Sequence, residues 1–320
     1  MIDGMITIRK EPGFTSSDVV AKMRGILHMK KIGHTGTLDP AAEGVLPVCL
    51  GSATKLAELI GDRDKEYVAV LRLGVTTDTQ DMTGTVIKRA EEERVRKITR
   101  EDVERTAEQF TGRISQVPPM YSAIWQNGTR LYELARRGEV VERAPRTITI
   151  HELEIQQAAL PLVTMRVVCS KGTYIRTLCE DMGNALGVGG AMEHLLRTRV
   201  GQFKLEDAIT LGQLQDLADN APEKIKNHVL PIDSFFADAP KVIVSEEAFP
   251  YLNNGNPLSF ANIDAKKSDD PRVLMKRAGA PIRVYSHDGT FYGIYTFSKQ
   301  RDRMVCEKMF HRVAGDHRPQ

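Results

Sequence analysis

Ile6 and Ile8 alternate with Thr7 and Arg9 close to the start of the chain, a period of two that predicts a strand. The spacing then lengthens: Val19, Val20, Met23, Ile26 and Leu27 fall on one face of a helix, with Ser16 or Ser17 as its cap. Residues 66–73 (EYVAVLRL) read as a strand ended by Gly74. Thr99-Arg-Glu-Asp102 has the form of a capping box, opening a helix that runs to about Phe110. Residues 147–153 and 162–169 read as two more strands, 173–186 as a helix, and 211–236 as a further helical stretch. Strands and helices mix without a steady βαβ rhythm, which predicts an α+β fold.

A boundary is expected near Asp238-Ala-Pro240, giving domains at 1–238 and 239–320. Beyond it, residues 273–275, 282–285, 290–297 and 304–309 read as short strands. They are separated by Gly279-Ala-Pro281 and His287-Asp-Gly289, a pattern that predicts a small β-barrel with a hairpin at Asp288-Gly289.

Composition narrows the class. Of 320 residues, 41% are hydrophobic and 27% charged, the balance of an ordinary globular chain long enough for two domains. No run of eighteen apolar residues predicts a membrane helix, and the first residues lack a signal peptide's basic and apolar regions, so a cytoplasmic location is expected. Cys49, Cys169, Cys179 and Cys306 are scattered with no C-x-x-C pair, and the eight histidines show no ligand spacing. Neither a disulfide framework nor a metal site is expected. Net charge is only +2, but residues 241–320 carry 13 Lys+Arg against 9 Asp+Glu. A polyanionic partner would therefore be met by local basic patches.

The densest chemistry lies in KIGHTGTLDP, residues 31–40, where two glycines, two threonines, a histidine and an Asp-Pro pair are crowded together. The proline biases Asp39 away from helix, predicting a stiff loop that presents one carboxylate. The order of residues fits neither a P-loop nor a dinucleotide site. An isolated Asp-Pro is most often a simple turn, and Asp39 with Glu43 finds no sugar cleft to serve as a glycosidase pair.

The longer string GHTGTLDPAAEGVLPVCLGSATK (33–55) closely resembles the catalytic motif of TruB-type tRNA pseudouridine-55 synthases. Further segments resemble that family in the right order: KEY (65–67) with LGVTTDTQDMTG (73–84), VPPMYSA (117–123), KGTYIRT (171–177) and LLRTRVG (195–201). The resemblance covers nearly all of residues 1–205. It implies a mixed, largely antiparallel sheet flanked by helices, isomerisation of one uridine in the T-arm of tRNA, no cofactor, and a monomer. More weakly, GAPIRVYSHDGTFYGIYTF (279–297) resembles a PUA-type RNA-binding barrel, implying reach to the acceptor end of tRNA.

Residue by residue, the resemblance puts the catalytic role on Asp39; attack on ribose, attack on the base and proton abstraction are all open to it. Arg176 matches the arginine that pairs with this carboxylate, a contact suited to guanidinium geometry. Tyr67 matches the aromatic residue under the flipped base, and His34 the histidine that fills the space the nucleotide vacates. Ile175 and Leu195 are expected to line the uracil pocket, and Asp81 to hold Tyr67 or Arg176. Lys22, Lys30, Lys31, Arg130, Arg136, Arg137, Arg197 and Arg199 are candidate phosphate contacts. Two positions depart from the family pattern: Trp125 stands where lysine is common, and Leu196 where arginine is common. Trp125 would offer a stacking face instead.

Overall fold

The computed structural model describes residues 2–126, 128–270 and 279–311. The chain forms two compact units: residues 7–48 with 56–228, and residues 2–6 with 49–55 and the described residues from 229 onward. Among the described residues no helix is long and apolar enough to cross a membrane.

The first unit is built on a large mixed sheet. Within this unit its strands run in the order 7–10, 43–48, Gly190–Val200, Lys65–Leu73, Leu162–Cys169, Arg146–Ala159 and Gly112–Gln116. From Gly190–Val200 to Gly112–Gln116 every pairing is antiparallel, while Gly190–Val200 lies parallel to Glu43–Leu50. The α+β, largely antiparallel expectation holds.

The central strand Lys65–Leu73 shows why. Burial alternates at every residue, so Tyr67, Ala69, Leu71 and Leu73 face one core while Glu66 and Arg72 face away. Helix Ile175–Ala185 meets that core with Ile175, Leu178, Cys179 and Met182, a helical stripe. Its packing is close: a Cβ on Gly183 would lie 2.3 Å from the Gly190 backbone nitrogen. The helix begins at Ile175 rather than 173 because Tyr174 is extended and serves as N-cap.

Two expectations are corrected. The helix Ser16–Ile26 is capped by Thr15, which exchanges hydrogen bonds with Asp18 in a full capping box, and neither Ser16 nor Ser17 is the cap. The stretch 211–236 is not one helix. Helix Leu211–Asn220 stops because Ala221, ahead of Pro222, is held out of the helical region at φ −155°, and shorter turns follow at Pro222–His228 and Ile232–Phe236. By contrast, Thr99 caps helix Arg100–Gln109 through Asp102 as expected.

In the second unit, strands Lys241–Ile243, Pro281–Tyr285, Phe291–Ser298 and Arg303–Met309 form a sheet in that order. The Asp288 carboxylate holds the hairpin, accepting from the Thr290 amide at 2.9 Å and the Ser286 hydroxyl at 2.6 Å. Single bridges join Leu258 to Met304 and Ile263 to Val244, so one segment meets both edges of the sheet. Leu252, Leu258, Ile282, Val284, Tyr295 and Phe297 fill its core. The strand expected at 273–275 lies outside the described residues.

Candidate active site

The turn that carries Asp39 is clamped on both sides of that residue. Leu38 is buried in the core that also holds Tyr67, and its backbone is bound twice by the Ser16 hydroxyl. That hydroxyl accepts from the Leu38 amide at 2.9 Å and donates to its carbonyl at 3.3 Å. On the other side, the Pro40 carbonyl accepts from the Lys10 ammonium at 3.1 Å and from the Gly13 amide at 2.9 Å. The Asp39 amide plane therefore has little freedom, while its side chain remains 36% exposed.

Lys10 is wholly buried, and its ammonium also donates to the carbonyls of Phe14 and Glu11. Burial lowers its pKa to about 8, against the upward pull of the Asp39 charge.

Arg176 reaches Asp39 from the first turn of helix Ile175–Ala185. Its Nε lies 3.0 Å from Oδ2 and its Nη2 donates to Oδ1 at 3.3 Å, a two-pronged contact. The guanidinium is 6% exposed, and its remaining donors meet the Tyr121 carbonyl at 2.8 Å and the Thr79 carbonyl at 3.2 Å. Asp81 stands 3.7 Å from Nη1. Its other oxygen accepts from the Thr79 hydroxyl and from both the amide and the hydroxyl of Thr83. Of the two partners expected for Asp81, it is Arg176 that it meets. Gln116 secures the start of the same helix, exchanging hydrogen bonds with the backbone of Tyr174 at 2.9 and 3.1 Å.

Tyr67 is 7% exposed, and burial pushes its hydroxyl up to about 12. Cys169 and Asp39 add to the rise, and Arg197 opposes it. Ile175 and Leu195 are buried in the same cluster as Tyr67 and Leu38. His34 ends the short strand Ile32–His34. Burial and the Arg197 charge lower its pKa, and its Nδ1 finds no partner among the described residues.

The expected phosphate contacts divide. Lys31 is exposed. Arg199 is half-buried and turned toward Glu66 at 3.5 Å. Arg197 corrects the expectation outright: it is 1% exposed and donates to the Val45 carbonyl at 2.7 Å and the Thr37 carbonyl at 3.2 Å, so it faces the interior. Trp125 is 62% exposed in a small hairpin, with the Arg130 guanidinium 4.8 Å above its ring.

Lys10, Ser16 and Gln116 were not anticipated. Lys10 leaves a trace in the sequence as a lysine in the inward register of Ile6 and Ile8, and Ser16 stands out there only as a candidate cap.

Residues 24–175 match the N-terminal domain of the TruB family of pseudouridylate synthases, and residues 176–237 match a tRNA pseudouridylate synthase B C-terminal domain. The chain is 48% identical to tRNA pseudouridine synthase B of Lachnoclostridium phytofermentans over 317 residues, covering 97% of this chain and 100% of the relative. It is 42% identical to tRNA pseudouridine synthase B of Clostridium kluyveri, covering 92% and 95%. Among solved structures it is similar to a chain of a Cbf5-Nop10-Gar1 complex, with a TM-score of 0.67 and 28% identity, covering 97% of this chain and 85% of that one.

Proposed function

The chain belongs to the TruB family of pseudouridylate synthases, and from that premise we propose that it converts uridine 55 in the T-loop of tRNA to pseudouridine, with Asp39 as the catalytic carboxylate. Isomerisation of uridine in tRNA is the family's reaction; the position, the flipping of the base and the residue roles are our reading. The observation that carries it is the two-pronged Asp39–Arg176 contact beside Tyr67, on a turn whose backbone is clamped.

The reaction breaks the bond from ribose C1′ to uracil N1, turns the base, and joins C1′ to C5. The C5 proton is lost and N1 regains one, so no electrons are exchanged and no group is imported. A uridine inside a folded loop must leave its stack to reach a half-exposed carboxylate, hence base flipping. Arg176 pairs with the Asp39 carboxylate and aims it as the nucleotide displaces water. Attack on C1′, attack on the base and proton abstraction all draw on the same carboxylate. Tyr67 offers its ring to the uracil face, and its raised pKa keeps the hydroxyl a proton carrier rather than an anion. His34 takes the space left by the nucleotide, while Ile175 and Leu195 line the uracil pocket.

Residues 1–238 would form the catalytic domain and 239–320 a PUA-like barrel reaching the acceptor end of tRNA, a role supported by the local excess of Lys and Arg. Lys31, Arg199 and the Trp125–Arg130 hairpin are the proposed surface contacts. The protein would act as a monomer in the cytoplasm, where tRNA is its partner.

Tritium placed on C5 of uridine in a tRNA tests the assignment. One equivalent should be released per tRNA, and replacing uridine 55 by cytidine should abolish release. Undiminished release from the substituted tRNA rejects position 55.

A further inference from the structure

Arg197 is among the largest side chains fully enclosed in the fold, and an arginine is costly to bury unless its charge does something there. Two of its donors meet backbone carbonyls. Nε–H meets Val45 and Nη1–H meets Thr37, so one planar fork spans residues on either side of Asp39. The strand that carries it is registered on both flanks. Arg197 lies opposite Gly44 in the parallel pairing and opposite Tyr67 in the antiparallel one, so its side chain shares a sheet face with Tyr67. The fit against Gly44 is tight, since a Cβ there would lie 2.2 Å from the Arg197 carbonyl oxygen. The third arm, Nη2, is buried and makes no hydrogen bond among the described residues.

We propose that Arg197 is a positioning residue for the reaction: its fork fixes the 37–45 turn to the strand beside Tyr67, so that Asp39 and the tyrosine ring keep one separation as the nucleotide enters and leaves. This rests on the reading of Asp39 as the catalytic carboxylate. Arg176 aims the carboxylate from the helix side, and Ser16 and Lys10 hold the backbone from the first strand and helix. Arg197 is the clamp that comes from the sheet, where Tyr67 stands. Its charge also acts on the Tyr67 hydroxyl, against the rise that burial imposes. A lysine has a point charge on a flexible stem and cannot hold both carbonyls in one plane.

The test is single-turnover pseudouridine formation and tRNA binding, measured for the unaltered protein and for Arg197→Lys, Arg197→Gln and Asp39→Asn. Both Arg197 variants should lose about 100-fold in the chemical step, the usual consequence of misplacing a catalytic group by about 1 Å. The Kd for tRNA should stay within about twofold. A wild-type rate overturns the proposal. So does a rate loss matched by an equal loss of binding, which would make Arg197 part of the RNA grip. Turnover by Asp39→Asn would instead sink the underlying reading, and separates the two failures. If both Arg197 variants fail to fold, arginine Nε–H exchange in the unaltered protein decides. Arg197 should be strongly protected, and exchange as fast as a surface arginine's rejects the fork.

Discussion

At the scale of single residues, the site sets a nearly enclosed guanidinium against a carboxylate that keeps a third of its surface open. The asymmetry suits a group that must meet substrate while its partner must not. Arg176 divides its donors among Asp39 and the carbonyls of Tyr121 and Thr79, so its position is fixed before any nucleotide arrives. Arg176→Lys keeps the charge and removes the fork. Steady-state kinetics on tRNA should show kcat down by 100-fold or more, about 2.7 kcal/mol of transition-state stabilisation, with tRNA affinity within about threefold. A variant with kcat near that of the unaltered protein would contradict the two-pronged contact.

At the scale of elements, the helix Ile175–Ala185 carries Arg176 at its start and an acidic pair in its middle. Burial, with the Glu180 charge adding to it, raises Asp181 from 3.8 to about 6. Between these values the folded protein retains a proton that the unfolded chain has lost, so stability falls as pH rises through that window and stays lower above it. Asp181→Asn removes the titration, and calorimetry should find a higher Tm at pH 7 with no gain at pH 4. An equal gain at both pH values would contradict burial as the cause.

The same helix illustrates what a sequence discloses. Its apolar stripe and the strict alternation of Lys65–Leu73 are local periodicities, readable from residue order alone. The break after Asn220 was also local, but the apolar residues beyond Pro222 masked it. Ser16 reads locally as a cap, whereas its hydroxyl is spent on Leu38, twenty-two positions away. Arg197 reads as a phosphate contact in the sequence because nothing in its own neighbourhood announces that the carbonyls of Thr37 and Val45 converge on it. The pairing of Arg176 with Asp39 was legible through the family's motifs, whereas the clamp around it is made of long-range pairings to backbone, which no motif records.

At the scale of the whole molecule, charge is nearly balanced, so RNA must be gripped locally rather than by a general field. Exposed Trp125, backed by Arg130, is suited to a contact that stacking rather than charge supplies. Trp125→Ala should weaken tRNA binding about 5- to 100-fold, the range of one lost stacking contact. That loss should be similar at about 50 and about 200 mM salt, whereas overall affinity should drop steeply between them. An unchanged Kd would remove Trp125 from the interface. One carboxylate, held in a clamped turn, is proposed to perform the isomerisation. Asp39→Asn, assayed by single-turnover pseudouridine formation alongside tRNA binding, tests it most directly. Pseudouridine should be undetectable while affinity stays within about tenfold, because many phosphate contacts remain. Turnover at the unaltered rate would contradict the account.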